Sequence, residues 1–330
     1  MLADVSRPET WSEVRSLPVD FDRYDEQLVQ LAAGSRGKTG FLRLRFEVHG
    51  DRTCLVESFS SGPQTVRRAH YLDNELADMA VVFIQSVGAG VVQGDRLRTE
   101  IIVGEGARAL ITTQAATKAY KMEANYATQR IDVTVEGDGY CELILDGLIP
   151  YRGVRLYTEL DFVVDPSAVL IYEDQVSPGR VARGESFEYD LLYTRMRCSR
   201  PDGRLIAADT TVLRPKQSDP RSPGVYGPYT EMGSMYAIAQ LHPDMPAMAT
   251  KVHESIQGLV GVSGGASVMP SGCGVHARLL GTDNRHVEGA LHRCWAQTRS
   301  ELLGVGVPNI YTVKHGFGPS TELESEINGG

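Results

Sequence analysis

The 330-residue chain has no excess of basic charge: 33 Lys and Arg stand against 42 Asp and Glu, for a net charge of −9. Together with a pI near 5.4, this leaves no basic stripe for a phosphate backbone and no polybasic patch for anionic lipid. Neither nucleic acid nor a membrane surface is therefore expected as a partner. Long apolar runs are missing as well. A stretch such as Ala80 to Ile84 is far too short to cross a bilayer, and the first ten residues lack the basic flank and apolar core of a secretion signal. Cysteine is sparse: Cys54, Cys141, Cys198, Cys273 and Cys294 are odd in number, widely spaced and without a CxxC. Neither a disulfide framework nor a zinc ribbon is indicated, and the five read as small core residues of a cytoplasmic protein. The eight histidines are dispersed, and Cys273-x-x-His276 and His292-x-Cys294 have no partners at a ligating spacing.

What the chain does have is a globular composition, 42% hydrophobic and 23% charged, and a dominant period of two. Leu42 to Val48, Ile131 to Val135 and Phe187 to Leu191 alternate apolar and polar residues, which predicts strands with one face in a core. Turn signals punctuate them at Gly104-Glu-Gly106, Gly137-Asp-Gly139 and Pro201-Asp-Gly203, the last fitting a hairpin between Met196 and Ile206. Many short strands with short links predict a mainly β fold: a large elongated β-sandwich or β-helix-like body, without a regular leucine-rich type of repeat.

Helices are expected in few places. Asp22 to Ala33 predicts a short one; Pro246 to Leu259 and Arg285 to Leu303 predict two toward the C-terminus. The second is capped by Asp244, the third by Asp283 or Asn284 and stopped by Gly304. Pro215 to Thr230, with four prolines, reads as a long surface loop. The chain divides into an N-terminal extension over 1–36, a β-rich domain over 37–317 and an acidic tail over 318–330 expected to be unstructured.

Two glycine motifs are weighed and set aside. Gly88-Ala-Gly90-Val-Val-Gln-Gly94 follows an apolar strand, but its third glycine falls one place late for a dinucleotide fingerprint. A strand-like segment follows where a helix must hold the pyrophosphate, so the glycines read as a tight β corner. Gly261-Val-Ser263-Gly-Gly265 matches a nucleophile elbow, yet a helix precedes it and a strand follows, the reverse of that motif's context. It reads as a glycine-rich linker.

The acids carry more chemistry. Glu142 and Asp146 bracket Leu-Ile-Leu at the end of an apolar strand; Asp146 there either holds a turn or, partly desolvated, offers hard oxygens to a divalent cation. Glu173 and Asp174 follow the apolar run Ala168 to Tyr172 and precede a Pro-Gly-Arg turn. Buried acids are costly unless a cation meets them, so they are candidates for a metal or for a salt bridge to Arg180 or Arg183. A β-rich hydrolase using Asp146 and Glu173 as acid and base, or a binding module without metal, remain open alternatives.

Taken in order, Arg67-Arg-Ala-His-Tyr-Leu, Gly88 to Leu97 with Gly94-Asp95, Thr112-Thr113 closing on Thr117-Lys118-Ala-Tyr120, Glu142-x-x-x-Asp146-x-Leu-Ile-Pro, and Gly179-Arg180 with Gly184-Glu185 resemble the UreD (UreH) family of urease accessory proteins. Trp295 and Arg299 resemble that family's last helix. The extension through Pro18 has no counterpart, and Val307 to Tyr311 replaces the family's aromatic-rich ending. The resemblance implies a non-catalytic scaffold that binds urease apoprotein, recruits UreF and through it the GTPase UreG, and helps insert nickel. It implies no tightly bound cofactor but nickel in transit through an internal passage, to which Asp146, Glu173, Asp174 and Glu142 are the residues carried over. Gly94, Asp95, Thr113, Lys118, Tyr120, Gly179, Arg180, Gly184 and Glu185 carry over as corner or partner-contact residues.

Overall fold

The computed structural model describes residues 13–24, 38–88 and 90–310, together with Arg7 and Trp11. Its strands alternate between two stacked sheets, and this coiling places everything else. The first sheet contains β1 (Thr39–His49), β2 (Arg52–Ser61), β5 (Arg96–Val103), β8 (Ala127–Val135), β11 (Arg155–Val164), β13 (Leu191–Ser199) and β14 (Leu205–Leu213), in the order β14-β13-β11-β8-β5-β1-β2. The second contains β3 (Gln64–Thr65), β4 (Ala80–Ser86), β6 (Arg108–Thr113), β9 (Tyr140–Ile144), β12 (Val169–Val176), β15 (Glu231–Ile238), β16 (Val262–Val268) and β17 (Gly274–Gly281), in the order β16-β17-β15-β12-β9-β6-β4-β3. Short β7 (Thr117–Ala119) and β10 (Leu148–Pro150) pair beside β12.

From β4 to β13 the chain hops from one sheet to the other at almost every turn, so neighbours within each sheet run parallel. The Gly104-Glu-Gly106 and Gly137-Asp-Gly139 links make two of these crossings. Of the two expected architectures, the solenoid-like body is the one formed. Its rungs stack like on like: Leu44, Ile101, Val133, Phe162, Cys198 and Ala207 lie in register across the first sheet and face inward. Parallel in-register coils bury these rows against the second sheet, where burial of one large apolar side chain stabilises by about 1.5–3 kcal/mol. Four of the five cysteines are buried and all are free thiols.

The two faces of the second sheet are both covered, which is why β9 is buried along its whole length and β4 from Ala80 to Ile84. Two helices, α1 (Met245–Glu254) and α2 (Asn284–Leu303), pack Met248, Val252, Val287, Leu291, Cys294 and Trp295 onto its outer face. Asp244 accepts from the Ala247 N–H at 3.0 Å, Asp283 accepts from His286 N–H at 3.0 Å, and Gly304 ends α2 in the left-handed region. Among the described residues no α-helix covers the first sheet's outer face. Its in-register Arg43, Arg98, Glu100, Arg130, Asp132 and Asp161 form a continuous ion-pair ladder, crossed by residues 13–24, where Phe21 is buried among Tyr126, Tyr157 and Tyr193.

Some expectations are corrected. Phe187 to Asp190 is irregular and the strand begins only at Leu191, because Phe187 takes φ +57° to turn back over Tyr226 and the loop from Pro215 to Thr230. α1 stops at Glu254 while Ile256 and Leu259 still reach the core from the following turns. Gly261 to Gly265 is largely strand, not linker: β16 pairs antiparallel with β17 as the edge of the second sheet, and Ser263 is exposed opposite Leu280 with no elbow around it. Of the helix expected over Asp22 to Ala33, residues 22–24 belong to a single 3-10 turn, Val19–Tyr24, and the rest lies outside the described residues, as does the tail over 318–330.

Candidate functional site

Strand alternation sends successive side chains to opposite faces, and in β12 this separates the two acids read as a pair from the sequence. Tyr172 and Asp174 face the interior between the sheets; Ile171 and Glu173 face α2. Neither meets Arg180 or Arg183 in a salt bridge, since Arg180 is engaged with Glu185.

On the interior side, the stacked rungs leave a polar layer between two apolar ones. Thr211, Thr194, Thr158 and Gln129 stand in register across the first sheet, and on the second sheet Asp174, Ser234 and Arg278 stand in register opposite them. On one side of this layer lie Leu160, Phe162 and their neighbours, on the other Leu156, Leu192 and Met232. Two cavities follow the layer. One, of about 30 Å³, is bounded by Asp174, Asp209, Thr211, Tyr236 and Arg278. The other, of about 90 Å³, is bounded by Thr113, Gln129, Asp146, Gln175 and Gln64, and the two share Thr158, Thr194, Tyr172 and Asp174 in their walls. A third cavity, of about 240 Å³, lies beneath α2 between Glu173, Asn284, Glu288, His292, Trp295 and Ile310, and shares Leu145, Asp146 and Gln175 with the second.

Asp146 thus stands where the interior and the helix side meet, in the turn after β9. Thr113 fixes it reciprocally: the threonine hydroxyl donates to Oδ2 at 3.0 Å and accepts from the Asp146 N–H at 2.9 Å. Asp174 accepts from the Tyr172 hydroxyl at 3.1 Å, and burial pushes its carboxyl up to about 6 against the opposing pull of Tyr172 and Arg278. Asp209 is paired with Arg278 and accepts from Tyr236. Burial opposes its ionisation, but the Tyr236 hydroxyl and the guanidinium outweigh it and hold the carboxyl below its ordinary value. His276 stacks on Tyr236 at 4.3 Å, and burial, aided by Arg278, pulls it down to about 4, so it is neutral at neutral pH.

On the helix side, Glu173 is 4% exposed and its Oε1 has no hydrogen-bond partner. Burial, with Glu142 and Asp174 nearby, raises its carboxyl well above the ordinary range, which favours the protonated form. Glu142 is removed from the set of exchangeable ligands: both its oxygens are held by Arg299, at 2.9 and 3.0 Å, Tyr140 donates to it, and Arg299 also grips Asp73. This is a fully enclosed ion pair that fastens α2 to the sheet. Among the described residues no three His, Cys, Asp or Glu side chains are grouped to hold a metal ion.

The remaining sequence-read positions form corners and a rim. Asp95, fully buried, accepts from the Lys38 and Val92 N–H groups at 2.9 and 3.0 Å after Gly94, whose N–H bonds the Tyr126 carbonyl. Gly90 has no room for a side chain, a Cβ there falling 2.2 Å from the Lys118 carbonyl oxygen, while the Lys118 side chain is exposed. Tyr120 packs on Tyr151 at 4.7 Å, and Arg180 lies 4.1 Å over Tyr151 while its guanidinium forks onto Glu185. Gly179 passes the Glu185 carbonyl where a Cβ would sit 2.9 Å away, and Gly184 closes the turn between them.

Chemically, the layer offers hydroxyls, carboxamides and three carboxylates, of which Asp209 is paired with Arg278. These are hard oxygen donors, too few at any one point to trap an ion and suited to passing it along. The residues missed from sequence, Thr158, Thr194, Thr211, Gln129, Asp209 and Arg278, did leave a signal: each interrupts the inward positions of an alternating strand with a polar side chain.

The sequence profile of the family described as UreD urease accessory protein matches residues 38–311. The chain is 38% identical over 285 residues to Urease accessory protein UreD 2 of Streptomyces griseus, covering 85% of this chain and 96% of that one. It is 36% identical over 290 residues to Urease accessory protein UreD of Cenarchaeum symbiosum, covering 85% and 98%. Against Urease accessory protein UreD of Photorhabdus laumondii the identity is 34% over 292 residues, covering 88% and 90%.

Proposed function

Because this chain belongs to the UreD family of urease accessory proteins, we propose that it is the scaffold through which urease apoprotein receives nickel, the ion crossing the body along the polar layer. A role in urease maturation follows from the family itself. The passage of nickel rests on one observation: three cavities that share walls, leading from Asp174 past Asp146 to Glu173. Asp174 and Asp146 serve as weak, successive oxygen ligands, and hydroxyls of Thr113, Thr158 and Thr194 replace part of the ion's water shell between them. Nickel here is cargo. Glu142, locked to Arg299, is left out of the path.

The partners are urease apoprotein and UreF, with UreG joined through UreF, in the cytoplasm; no described helix is long and apolar enough to cross a membrane. The rim of Lys118, Tyr120, Tyr151 and Arg180 is the contact surface this reading favours, since it sets a cation and aromatic faces at one corner. A hydrolase with Asp146 and Glu173 as acid and base finds no support in a family of accessory proteins.

The test is co-purification of the full-length chain with UreF and urease apoprotein, followed by the nickel content of the urease produced. Asp146→Asn is expected to lower that content severalfold while leaving the melting temperature and the co-purification intact. Absence of both partners from the purified material, or undiminished nickel with Asp146→Asn, overturns the proposal.

A further inference from the structure

We propose that Arg278 is the cation gate of the polar layer, closing its end between β14 and β17 so that an ion crossing the body does not leave the layer there. This rests on the nickel-transit reading and gives a part to a residue which that reading leaves without one.

Arg278 and Asp209 belong to different sheets, and their ion pair spans the interior near the edge where the first sheet ends at β14. Their side chains are 34% and 31% exposed, which puts them at a mouth and not in the sealed core. The guanidinium is held across that mouth from both sides: it pairs with Asp209, donates to the Thr211 hydroxyl at 3.3 Å in the first sheet and to the Tyr236 hydroxyl at 3.1 Å in the second. Just inside it the cavity narrows to about 30 Å³, against about 90 Å³ in the next section. That is space for about one water molecule.

A divalent ion gives up its hydration only where other oxygens replace it. At this mouth the Asp209 carboxylate is already taken by the arginine, and the ion would pass a fixed positive charge at contact distance. Cross-linking the sheets does not by itself call for such a pair, because apolar rungs such as Leu160 and Met196 pack the interior next door, and an ion pair this near water contributes little to stability. What the charge adds is rejection of cations, so that an ion resting at Asp174 cannot escape to solvent.

The experiment is a reconstituted urease activation containing the full-length chain, UreF, UreG, urease apoprotein and Ni²⁺, titrated with EDTA as an external trap. Delivery of nickel to urease through the wild-type chain is expected to resist the chelator. Arg278→Met is expected to lower the chelator concentration that halves delivery by on the order of tenfold, and Arg278→Lys to stay near the wild-type value. Melting curves report folding, and Arg278→Gln carries the same test if the methionine variant does not fold. Asp146→Asn in the same assay separates the two claims. If it leaves delivery unchanged, nickel does not cross the body and both readings fall. If it lowers delivery while Arg278→Met keeps the wild-type chelator sensitivity, or if Arg278→Lys is as sensitive as Arg278→Met, only the gate is overturned.

Discussion

Arg299 and Arg278 each stand among acids on opposite faces of one sheet, and they do different work. Arg299 is fully enclosed with Asp73 and Glu142 beneath α2, with the oxygens of Glu142 satisfied on both sides. Arg278 is about one third exposed and meets Asp209 at the end of a cavity. The neighbouring residues Glu173 and Asp174 repeat the contrast, the first facing α2 with its Oε1 unbonded and its carboxyl raised by burial, the second at a hydroxyl-lined cavity. The chemistry of the side chains is nearly the same in both clusters. Whether water and a neighbouring cavity reach them decides which cluster fastens the fold and which can exchange an ion.

The largest difference is expected on removing each arginine's charge. Arg299→Met leaves two buried carboxylates unpaired and is expected to cost about 3–5 kcal/mol, read as a lowered midpoint in denaturant unfolding. An unchanged midpoint would mean that Asp73 and Glu142 are not compensated by Arg299 at all.

Glu173→Gln sharpens the same contrast through pH. The folded chain keeps a proton on Glu173 that the unfolded chain releases above about pH 4.3. Folded protein therefore binds more protons, and the contribution of this group to stability falls as pH rises. The glutamine variant lacks that loss, so its advantage over wild type should grow by up to about 1.4 kcal/mol per pH unit above the unfolded value, until the folded pKa is reached. Unfolding midpoints from pH 5 to pH 8 measure it, and an advantage that shrank with pH would show Glu173 ionised beside a cation. The smallest effect is expected for Arg278→Met, within about 1 kcal/mol, because its partner Asp209 remains near water. A loss as large as that of Arg299→Met would erase the distinction between the clusters.

Much of the architecture was legible. The alternation in Leu42 to Val48 and Ile131 to Val135, the Gly-Asp-Gly and Gly-Glu-Gly links and the caps of the last helix are local signals, and each marks a local element. Failures came where long-range contacts overrode local pattern. Phe187 to Leu191 alternates but turns back onto Tyr226, and Val262 to Val268 is rich in glycine and serine but is drawn into the sheet by pairing with β17. The candidate site was half legible. Asp146 and Asp174 were visible as acids at apolar strands, yet Asp209 and Arg278, about 70 residues apart, meet only because β14 and β17 end up facing one another.

By itself, then, the order of residues determined the strand-rich body, the helices near the C-terminus, the glycine corners and the family to which they belong. These follow from backbone preference and side-chain period, which act over a few residues. Only the tertiary structure decided that Glu173 and Asp174 part company, that Glu142 is locked to Arg299 over 157 positions of chain, and that threonines from separate coils line one layer. The physical reason is that burial and electrostatic partnership belong to positions in space, which stacking of the coils creates and no single segment contains.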